Sequence, residues 1–297
     1  MIARVLRFPR GKKGRGERVG EGVAARSERA ESEAGVLPAV RRMGLGFEGL
    51  PRHWFMGHPV HTAVVNALSL LFPAGERFFI RSVKHYESQI ADPALKEAMR
   101  AFYGQEAHHQ KEHLAANEAL ERQGFEIASF LSWWEKIAFE VVEPRFPPNI
   151  RLAATAAAEH FTATLAEIAL RDRVLEQAHP SMQALLFWHA AEEIEHKSVA
   201  FDVLQAVDPR YRTRVVGFVV VSAVLGLGWV VGARHLLRQE DGPRPPMPKA
   251  ARERLPRVVG EVAKSLGAYL RPGFHPDQVD NRGLARDYLA RIGRLAG

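Results

Sequence analysis

The sequence of 297 residues contains no cysteine. Disulfide scaffolds, thiolate zinc sites, iron-sulfur clusters and cysteine nucleophiles are therefore excluded, and His, Asp and Glu remain as the strong side-chain metal ligands. The chain has 13 histidines, so a metal site of this kind is a real possibility. An apolar content of 46% and a charged content of 25% are ordinary for a folded soluble protein, so the chain as a whole is neither disordered nor fibrous.

The excess of positive charge lies in one terminal segment. The formal net charge is +7, and residues 1–42 hold eleven Lys or Arg against five Glu. This segment has few large apolar residues and lacks the apolar core of a secretory signal, so it is predicted to be a disordered basic tail. It is interpreted as a solubilising extension or as a basic arm for anionic lipid or nucleic acid. Because the charge excess is confined to the tail, the folded part is expected to bind no nucleic acid.

Long helical patterns follow, and no series of strands interrupts them. The chain before residue 59 has an irregular pattern, and the first long helix is predicted to open near Pro73, a residue tolerated at a helix start, and to run toward Ile90. Three further long helices are predicted over residues 94–122, 150–177 and 180–206, with a short aromatic segment over 130–142 as a crossover. Helices grouped two and two around a long link are typical of a ferritin-like four-helix bundle, here assigned to residues 43–210. The fold class is all-α.

Two of these helices carry the motif Glu-x-x-His. A Glu and a His three residues apart lie about 60° from each other around a helix, so one helix offers an oxygen and a nitrogen ligand to the same metal. The pairs are Glu106 with His109 and Glu193 with His196. Either pair alone is also explained as an exposed helix pair, so the prediction depends on the complete set.

Each Glu-x-x-His helix is preceded by a helix with one glutamate among apolar or small residues, namely Glu76 or Glu159. The spacing from each of these to the next motif glutamate is 30 and 34 residues, which matches helices of ~20 residues running down and back up. Four Glu and two His at one depth predict a di-metal carboxylate site in the bundle core. Carboxylates bridge two cations, and one imidazole per metal supports iron or manganese and leaves positions open for oxygen or substrate.

Several sequence motifs occur in a characteristic order. They are Phe72-Pro73-Ala74-Gly75-Glu76-Arg77-Phe78-Phe79, Phe102-Tyr103-Gly104-Gln105-Glu106 with His109 and His113, Thr155 to Thr162, and Trp188-His189-Ala190-Ala191-Glu192-Glu193 with His196-Lys197 and Phe201-Asp202. Over roughly residues 50–240 they resemble the bacterial family named predicted metal-dependent hydrolases. The ligand pattern is also similar to the ferritin-like superfamily, which implies two iron ions that activate dioxygen. That resemblance implies six ligands: Glu76, Glu106, His109, Glu159, Glu193 and His196.

Two further histidines lie beside these ligands. His113 follows Glu106 by seven residues and His189 precedes Glu193 by four, so each projects within about 40° of its glutamate. Either histidine is an additional ligand, which is similar to di-iron N-oxygenases, or it is hydrogen-bonded to a carboxylate ligand.

The candidate pocket residues are Thr155 and Thr162, which flank Glu159 on its face, and Phe102, which is also explained as core. Three residues on the same helices point elsewhere and are not expected to be ligands: His108, His160 and Glu195.

Residues 215–233 form a run of 19 residues without a formal charge, bounded on both sides by arginines. The run is nearly long enough to cross a bilayer, and Gly228 and Gly232 have the spacing that suits close helix contact. Residues 211–240 are therefore interpreted as a possible membrane segment, or else as a buried helix or homodimer interface of a soluble bundle. Residues 241–297 are predicted to form a Pro-rich link and amphipathic helices, whose Arg-rich face lies on membrane or packs on the bundle.

The sequence thus predicts a di-iron oxidase or oxygenase that uses dioxygen on a small, apolar substrate, with manganese or zinc as alternative metals. A hydrolase with a metal-activated water stays open, although no His-Glu-x-x-His zinc motif is present. A non-catalytic iron-binding protein is the third interpretation. The expected location is the cytoplasm, either free or attached to the inner membrane, and the expected assembly is a homodimer.

Overall fold

The computed structural model describes residues 37–242 and 245–296, with side chains described to residue 292. Most of the predicted tail, residues 1–36, lies outside the described residues. Within the described ranges the regular elements are helices, apart from one isolated bridge between Phe55 and Ala178. The predicted all-α class is therefore confirmed.

The helices have the following bounds: α1 Pro59–Lys84, α2 Pro93–Arg122, α3 Ala128–Lys136, α4 Pro148–Asp172, α5 Pro180–His196, α6 Val199–Val207, α7 Tyr211–Leu237, α8 Lys249–Tyr269 and α9 Arg282–Ala296. The bundle consists of α1, α2, α4 and α5, with α6 continuing the last of them. Helix α1 packs on α2 and α4 packs on α5, while α3 and a π-helical stretch, Ile137–Val142, make the crossover. The predicted bundle with a long crossover is confirmed.

Helix α2 shows why its bounds were readable from the sequence. The Asp92 side chain accepts a hydrogen bond from the Ala94 backbone N–H, and Pro93 occupies the first turn, where its missing N–H is not needed. After the helix, Gly124 adopts a left-handed conformation with a φ of 86°, which a residue without Cβ reaches at little cost.

The predicted start of the first helix is wrong. Helix α1 begins at Pro59, directly after an extended His58, and Pro73 lies inside the helix. Pro59 obeys the rule that favours proline in a first turn, whereas Pro73 does not. An interior proline removes one backbone hydrogen bond, and the buried packing of this helix offsets that loss. Because α1 is continuous, it carries Phe72, Gly75 and Glu76 along one helix into the core.

The last bundle helix is interrupted where a single helix over 180–206 was expected. Helix α5 ends at His196, and α6 begins at Val199. In the interruption the buried Lys197 donates hydrogen bonds to the Val279 carbonyl oxygen at 2.6 Å and to Asn281 Oδ1 at 2.7 Å. The sequence contains no Gly or Pro there, so this break had no local signal.

Helix α7 lies along α1 and α4 on one face only. A Cβ atom added at Gly217 would come within 2.4 Å of the Ala153 backbone, and one at Gly228 within 2.7 Å of the Trp134 ring, so these glycines permit close approach. On the opposite face Val219 is 60% exposed, so the helix is not fully buried. Among the described helices, α7 and the segment Pro59–Gln89 are long and apolar enough to cross a membrane, but that segment is mostly buried in the bundle.

Candidate metal centre

The four bundle helices bring the six predicted ligands to one buried place. Helix α1 supplies Glu76, α2 supplies Glu106 and His109, α4 supplies Glu159, and α5 supplies Glu193 and His196. In each Glu-x-x-His motif the three-residue spacing puts the Glu and the His on the same face of the helix, and this face is turned to the other helices.

One end of the cluster is formed around His196. Its Nε2 atom lies 3.1 Å from Glu159 Oε2, 3.4 Å from Glu106 Oε1 and 3.5 Å from Glu193 Oε1. The ligand atoms of Glu106, Glu159 and His196 lie within 4.8 Å of one another, which suits a single metal ion. This end therefore offers one nitrogen and several carboxylate oxygens to a cation.

The other end is formed around His109 and His189. His109 Nδ1 lies 3.8 Å from both Glu106 Oε2 and Glu193 Oε1, and His189 Nε2 lies 3.8 Å from Glu76 Oε1. Two further groups with ligand atoms within 4.8 Å of one another arise here: Glu106 with His109 and Glu193, and Glu76 with His109 and His189. Glu106 belongs to groups at both ends, and Glu193 contacts histidines at both ends, so these two carboxylates lie between the two ends of the cluster.

The cluster has more hydrogen-bonding capacity than the protein satisfies. Among the described residues, both carboxylate oxygens of Glu76, Glu106 and Glu159 have no hydrogen-bond partner, and neither do His109 Nδ1 and His196 Nε2. Buried, unpaired carboxylates cost several kcal/mol each, and cations remove that cost. These atoms of the cluster belong to predicted ligands, so the residues present fit metal binding.

Three carboxyl groups are held in an environment that opposes their charge. Burial, together with the neighbouring carboxylates, raises the pKa of Glu76 well above its usual range. Burial likewise raises the pKa of Glu106 and of Glu159 to about 8, against the attraction of His196. Without a metal ion, these groups therefore hold protons near neutral pH. A cation that binds here must displace those protons.

Glu193 and His196 form the charged pair of the metal-free cluster. Burial opposes ionisation of Glu193, but His196 and the hydrogen bond from His189 together hold its pKa well below the usual value. Burial also opposes protonation of His196. The attraction of Glu159 and Glu193 outweighs this effect of burial, so the pKa of His196 is raised well above 6.5. Without metal ions, the His196 imidazolium thus neutralises the charge of the Glu193 carboxylate.

Each predicted histidine ligand is oriented through its second ring nitrogen. His109 Nε2 lies 3.1 Å from Glu192 Oε2, and His196 Nδ1 lies 2.9 Å from Gln105 Oε1. If these nitrogens donate, the unprotonated nitrogens are the ones that face the cluster, as metal ligation requires. Neither partner was predicted from the sequence, although Glu192 and Gln105 each directly precede a predicted ligand in the chain.

The chain matches the family described as predicted metal-dependent hydrolase over residues 39–280. The chain belongs to this family. The resemblance expected over residues 50–240 is therefore confirmed, and the family's metal dependence agrees with His and Glu groups that could hold a metal. Nothing matches the chain among curated proteins or among solved structures.

In this member of the metal-dependent hydrolase family, His189 and His113 occupy different positions. His189 lies in a group that could hold a metal, and its Nε2 is 2.9 Å from Glu193 Oε1. His113 belongs to no such group among the described residues. Its Nε2 lies 2.6 Å from His189 Nδ1, and its Nδ1 lies 2.7 Å from Ser69 Oγ. His189 can thus reach a metal, whereas His113 orients His189.

An apolar cavity of about 200 Å³ adjoins the metal centre in this family member. Helices α1, α4 and α7 line most of it, and Leu266 of α8 completes it. Its inner wall includes Phe72, whose ring lies 4.7 Å from the His113 ring and 4.5 Å from the His189 ring. Thr162 also lines it, three residues after Glu159.

Of the three predicted pocket residues, Thr162 alone lines this cavity. The Thr155 hydroxyl is paired with Ser82 Oγ at 2.7 Å, which turns it into the packed interior. Phe102 is fully buried, and its ring meets His196 edge-on at 5.0 Å. Phe102 and Thr155 therefore pack in the interior of the bundle and do not line the cavity.

A segment from the predicted tail closes the network around the histidines. Arg41 donates to Glu192 Oε1 at 2.9 Å and to Glu195 Oε2 at 2.6 Å, and Glu195 accepts from Gln105 Nε2 at 2.9 Å. The adjoining Val40 lies where a Cβ at Gly104 would stand, so the glycine allows this segment to approach. The Arg41 guanidinium thus holds the partner of His109 directly, and it holds Gln105, the partner of His196, through Glu195.

We expect Arg41→Ala to lower metal affinity about ten- to hundredfold, because a partner of each histidine loses its anchor. Arg41→Lys should recover only part of this loss, since an ammonium cannot make the forked contact with two carboxylates. Metal titration of the two variants against a chelating dye measures the effect. An affinity of Arg41→Ala equal to that of the unchanged protein would show that this network does not orient the ligands.

Proposed function

We propose that the chain is a di-iron oxidase or oxygenase that acts on a small, apolar substrate. The observation that supports this most strongly is the residue set, which is rich in buried, unpartnered carboxylate oxygens and has at least one imidazole at each end. When bound, two iron ions would supply the reduction of dioxygen and the resulting oxidising power. The protein supplies the ligands, their orientation and a dry place for the substrate.

The residues divide this work in a defined way. Glu106 and Glu193 lie within reach of both ends and would bridge the two ions. Glu159 with His196 would hold one ion, and Glu76 with His109 would hold the other. His189 adds a nitrogen at the second end, which makes that end the richer in nitrogen ligands.

The cavity supports an apolar substrate. Its lining is hydrophobic apart from Thr162 and Ser222, and no charged side chain lines it. A hydrocarbon group would be bound there by the hydrophobic effect, and its reacting end would be directed toward Phe72 and Thr162, the wall nearest the ligands. The same wall keeps water from the metal centre, which limits side reactions.

A substitution at Gly75 tests the role of the cavity without disturbing the ligands. Gly75 lines the cavity, and a Cβ there would meet no atom closer than Phe79 Cζ at 4.0 Å. We expect Gly75→Leu to fill the cavity and abolish binding of apolar ligands while metal content stays unchanged. Gly75→Ala is the matched control, and its removal of a helix-interior glycine should stabilise the fold by about 0.5–1 kcal/mol.

Partition of a hydrophobic fluorescent probe and metal analysis check the Gly75 variants together. Equal probe binding by Gly75→Leu and Gly75→Ala would show that the cavity is not the substrate site. Loss of metal from Gly75→Leu alone would show instead that the cavity and the ligands are not separable.

The proposed reaction is tested by metal content followed by exposure of the anaerobic ferrous protein to oxygen. Two irons per chain and an oxygen-dependent absorption band support the oxidase or oxygenase. Iron uptake with oxygen consumption but no product from any apolar compound would instead favour a non-catalytic iron-binding protein.

A hydrolase is the second candidate because the family is described by that activity. It would use one or two divalent ions to activate a water molecule and polarise a carbonyl or phosphoryl oxygen. The same experiment separates the two, since tight zinc or manganese with no oxygen reactivity would favour hydrolysis. The apolar cavity wall, which offers few groups to a polar leaving group, is the reason that the oxygenase is preferred.

A further inference from the structure

Helix α7 exposes an apolar stripe on the face turned away from the bundle. Its most exposed large members are Val219 at 60% and Val230 at 59%, with Leu227 and Val216 beside them. From Val216 to Val230 the stripe is about 21 Å long at the helical rise, and the sequence places no charged residue within it. An exposed apolar surface of this continuity marks a contact with a partner or a membrane.

The charges around the stripe identify the kind of partner. Residues 211–270 contain ten Lys or Arg against four Asp or Glu, whereas residues 43–210 contain fifteen against twenty-two. The exposed residues Arg212 and Arg234 bracket the stripe at its two ends. The neighbouring helix α8 adds further exposed arginines as well as the exposed Val259. An apolar strip framed by basic side chains matches an anionic lipid surface.

The cavity opens on the same face. Ser222 and Gly226 are exposed residues of α7 and also line the cavity, so its rim is part of the stripe. Helix α8 reaches the rim from the other side through Leu266. A molecule that leaves an acyl layer beneath this face would enter the cavity without crossing water.

We propose that the exposed face of α7, with α8 beside it, docks on an anionic lipid bilayer. The helix lies in the interface and does not cross it, because its opposite face is held on α1 and α4 by Gly217, Gly228 and Gly232. A second copy of the chain is a less favourable partner for this face, since two such basic surfaces would repel each other. The docking itself is independent of the proposed function; delivery of an apolar substrate to the metal centre rests on it.

Flotation of the full chain with vesicles tests the docking. The probes are vesicles of phosphatidylcholine alone and of phosphatidylcholine mixed with phosphatidylglycerol. We expect binding to the mixed vesicles, with a partition coefficient about tenfold lower for each of Val219→Glu and Val230→Glu. Leu114→Glu, at a residue of α2 that is 49% exposed, is the matched control and should bind normally.

Because the chain contains no cysteine, a single introduced cysteine can be labelled specifically, which provides a second readout. An environment-sensitive dye on Leu227→Cys should shift to the blue with the mixed vesicles, and the same dye on Leu114→Cys should not. Equal flotation of Val219→Glu and the unchanged chain, or no shift at Leu227→Cys, would overturn the proposal. So would a dimer of the unchanged chain that Val219→Glu dissociates, with no vesicle binding by either. None of these readouts requires metal or oxygen, so their failure differs from failure of the proposed function.

Discussion

Alanine at Glu106 or at Glu193 is expected to remove both metal ions from the protein. In the proposed site each of these carboxylates bridges the two ions, so its loss takes an oxygen ligand from both ends of the centre. Loss of a residue that only orients a ligand costs ten- to hundredfold in metal affinity, so loss of a bridging ligand should cost more than about a hundredfold. Elemental analysis after dialysis against limiting metal measures the occupancy.

Two companion variants make this result specific. Glu118→Ala changes an exposed glutamate on the same helix as Glu106, and it should keep full metal occupancy. Glu106→Gln keeps the shape of the side chain, so it should lose metal as Glu106→Ala does without leaving a cavity in the core. Full occupancy in both alanine variants would reject the assigned bridging role.

The metal-free protein is expected to lose stability as the pH rises from 6.5 to 8. Burial raises the pKa of Glu106 and of Glu159 to about 8, and these carboxyls are ionised in the unfolded chain above its usual pKa of 4.5. The folded state therefore binds more protons than the unfolded state in this window. Stability must then fall with rising pH, by about 1.4 kcal/mol per pH unit for each carboxyl that stays protonated.

The pH window of this prediction starts at 6.5 because of the histidines. The raised pKa of His196 adds to the fall, because the unfolded chain releases that proton first. The lowered pKa values of His113 and His189 act in the opposite direction, but only below their unfolded value of 6.5. Above that pH His113 and His189 no longer contribute, and Glu106, Glu159 and His196 all lower the stability as the pH rises.

Urea unfolding of the chelator-treated protein at several pH values measures this slope. Replacing both raised carboxyls, in Glu106→Gln with Glu159→Gln, should flatten it because the amides do not titrate. Binding of metal should reverse the trend, since ions displace the same protons and bind more tightly as the pH rises. A metal-free protein whose stability is constant or rises from pH 6.5 to 8 would contradict the electrostatic account of the cluster.

The six predicted ligands were accessible to sequence reasoning because helical geometry is regular. The period of the helix fixed the faces of the Glu-x-x-His pairs, and the similar spacings from Glu76 and Glu159 fixed their depth. The Glu and His of each motif are three residues apart, and the motifs on separate helices needed only the bundle connectivity to meet. The assignment of the six as ligands stays a prediction until metal is measured.

Arg41 was not accessible in the same way. It lies in an irregular segment, and its contact with Glu192 joins residues 151 positions apart, a pairing that no local pattern encodes. The composition of that segment indicated a basic tail, in which an arginine predicts solubility or a contact with anionic lipid or nucleic acid. The interior position of Pro73 was not predicted for a related reason. Propensity rules place a proline at a helix start, whereas tertiary packing decides whether a proline is tolerated inside a helix.

The exposed face of α7 shows a further limit. An uncharged run of 19 residues indicates an apolar environment, but the sequence does not say on how many sides. The structure answers this through Gly217, Gly228 and Gly232, which hold one face on the bundle and leave the other outside. The expected homodimer is not tested by these contacts and stays a prediction.

The central claim is that one buried cluster holds two metal ions together. Iron-edge X-ray absorption of the reconstituted full chain, combined with metal counting, tests it most directly. The account predicts two ions per chain, nitrogen and oxygen ligands only, and a metal–metal distance of about 3.5–4 Å, as in other two-metal sites. A single ion per chain, or two ions with no neighbouring metal in the scattering, would contradict it.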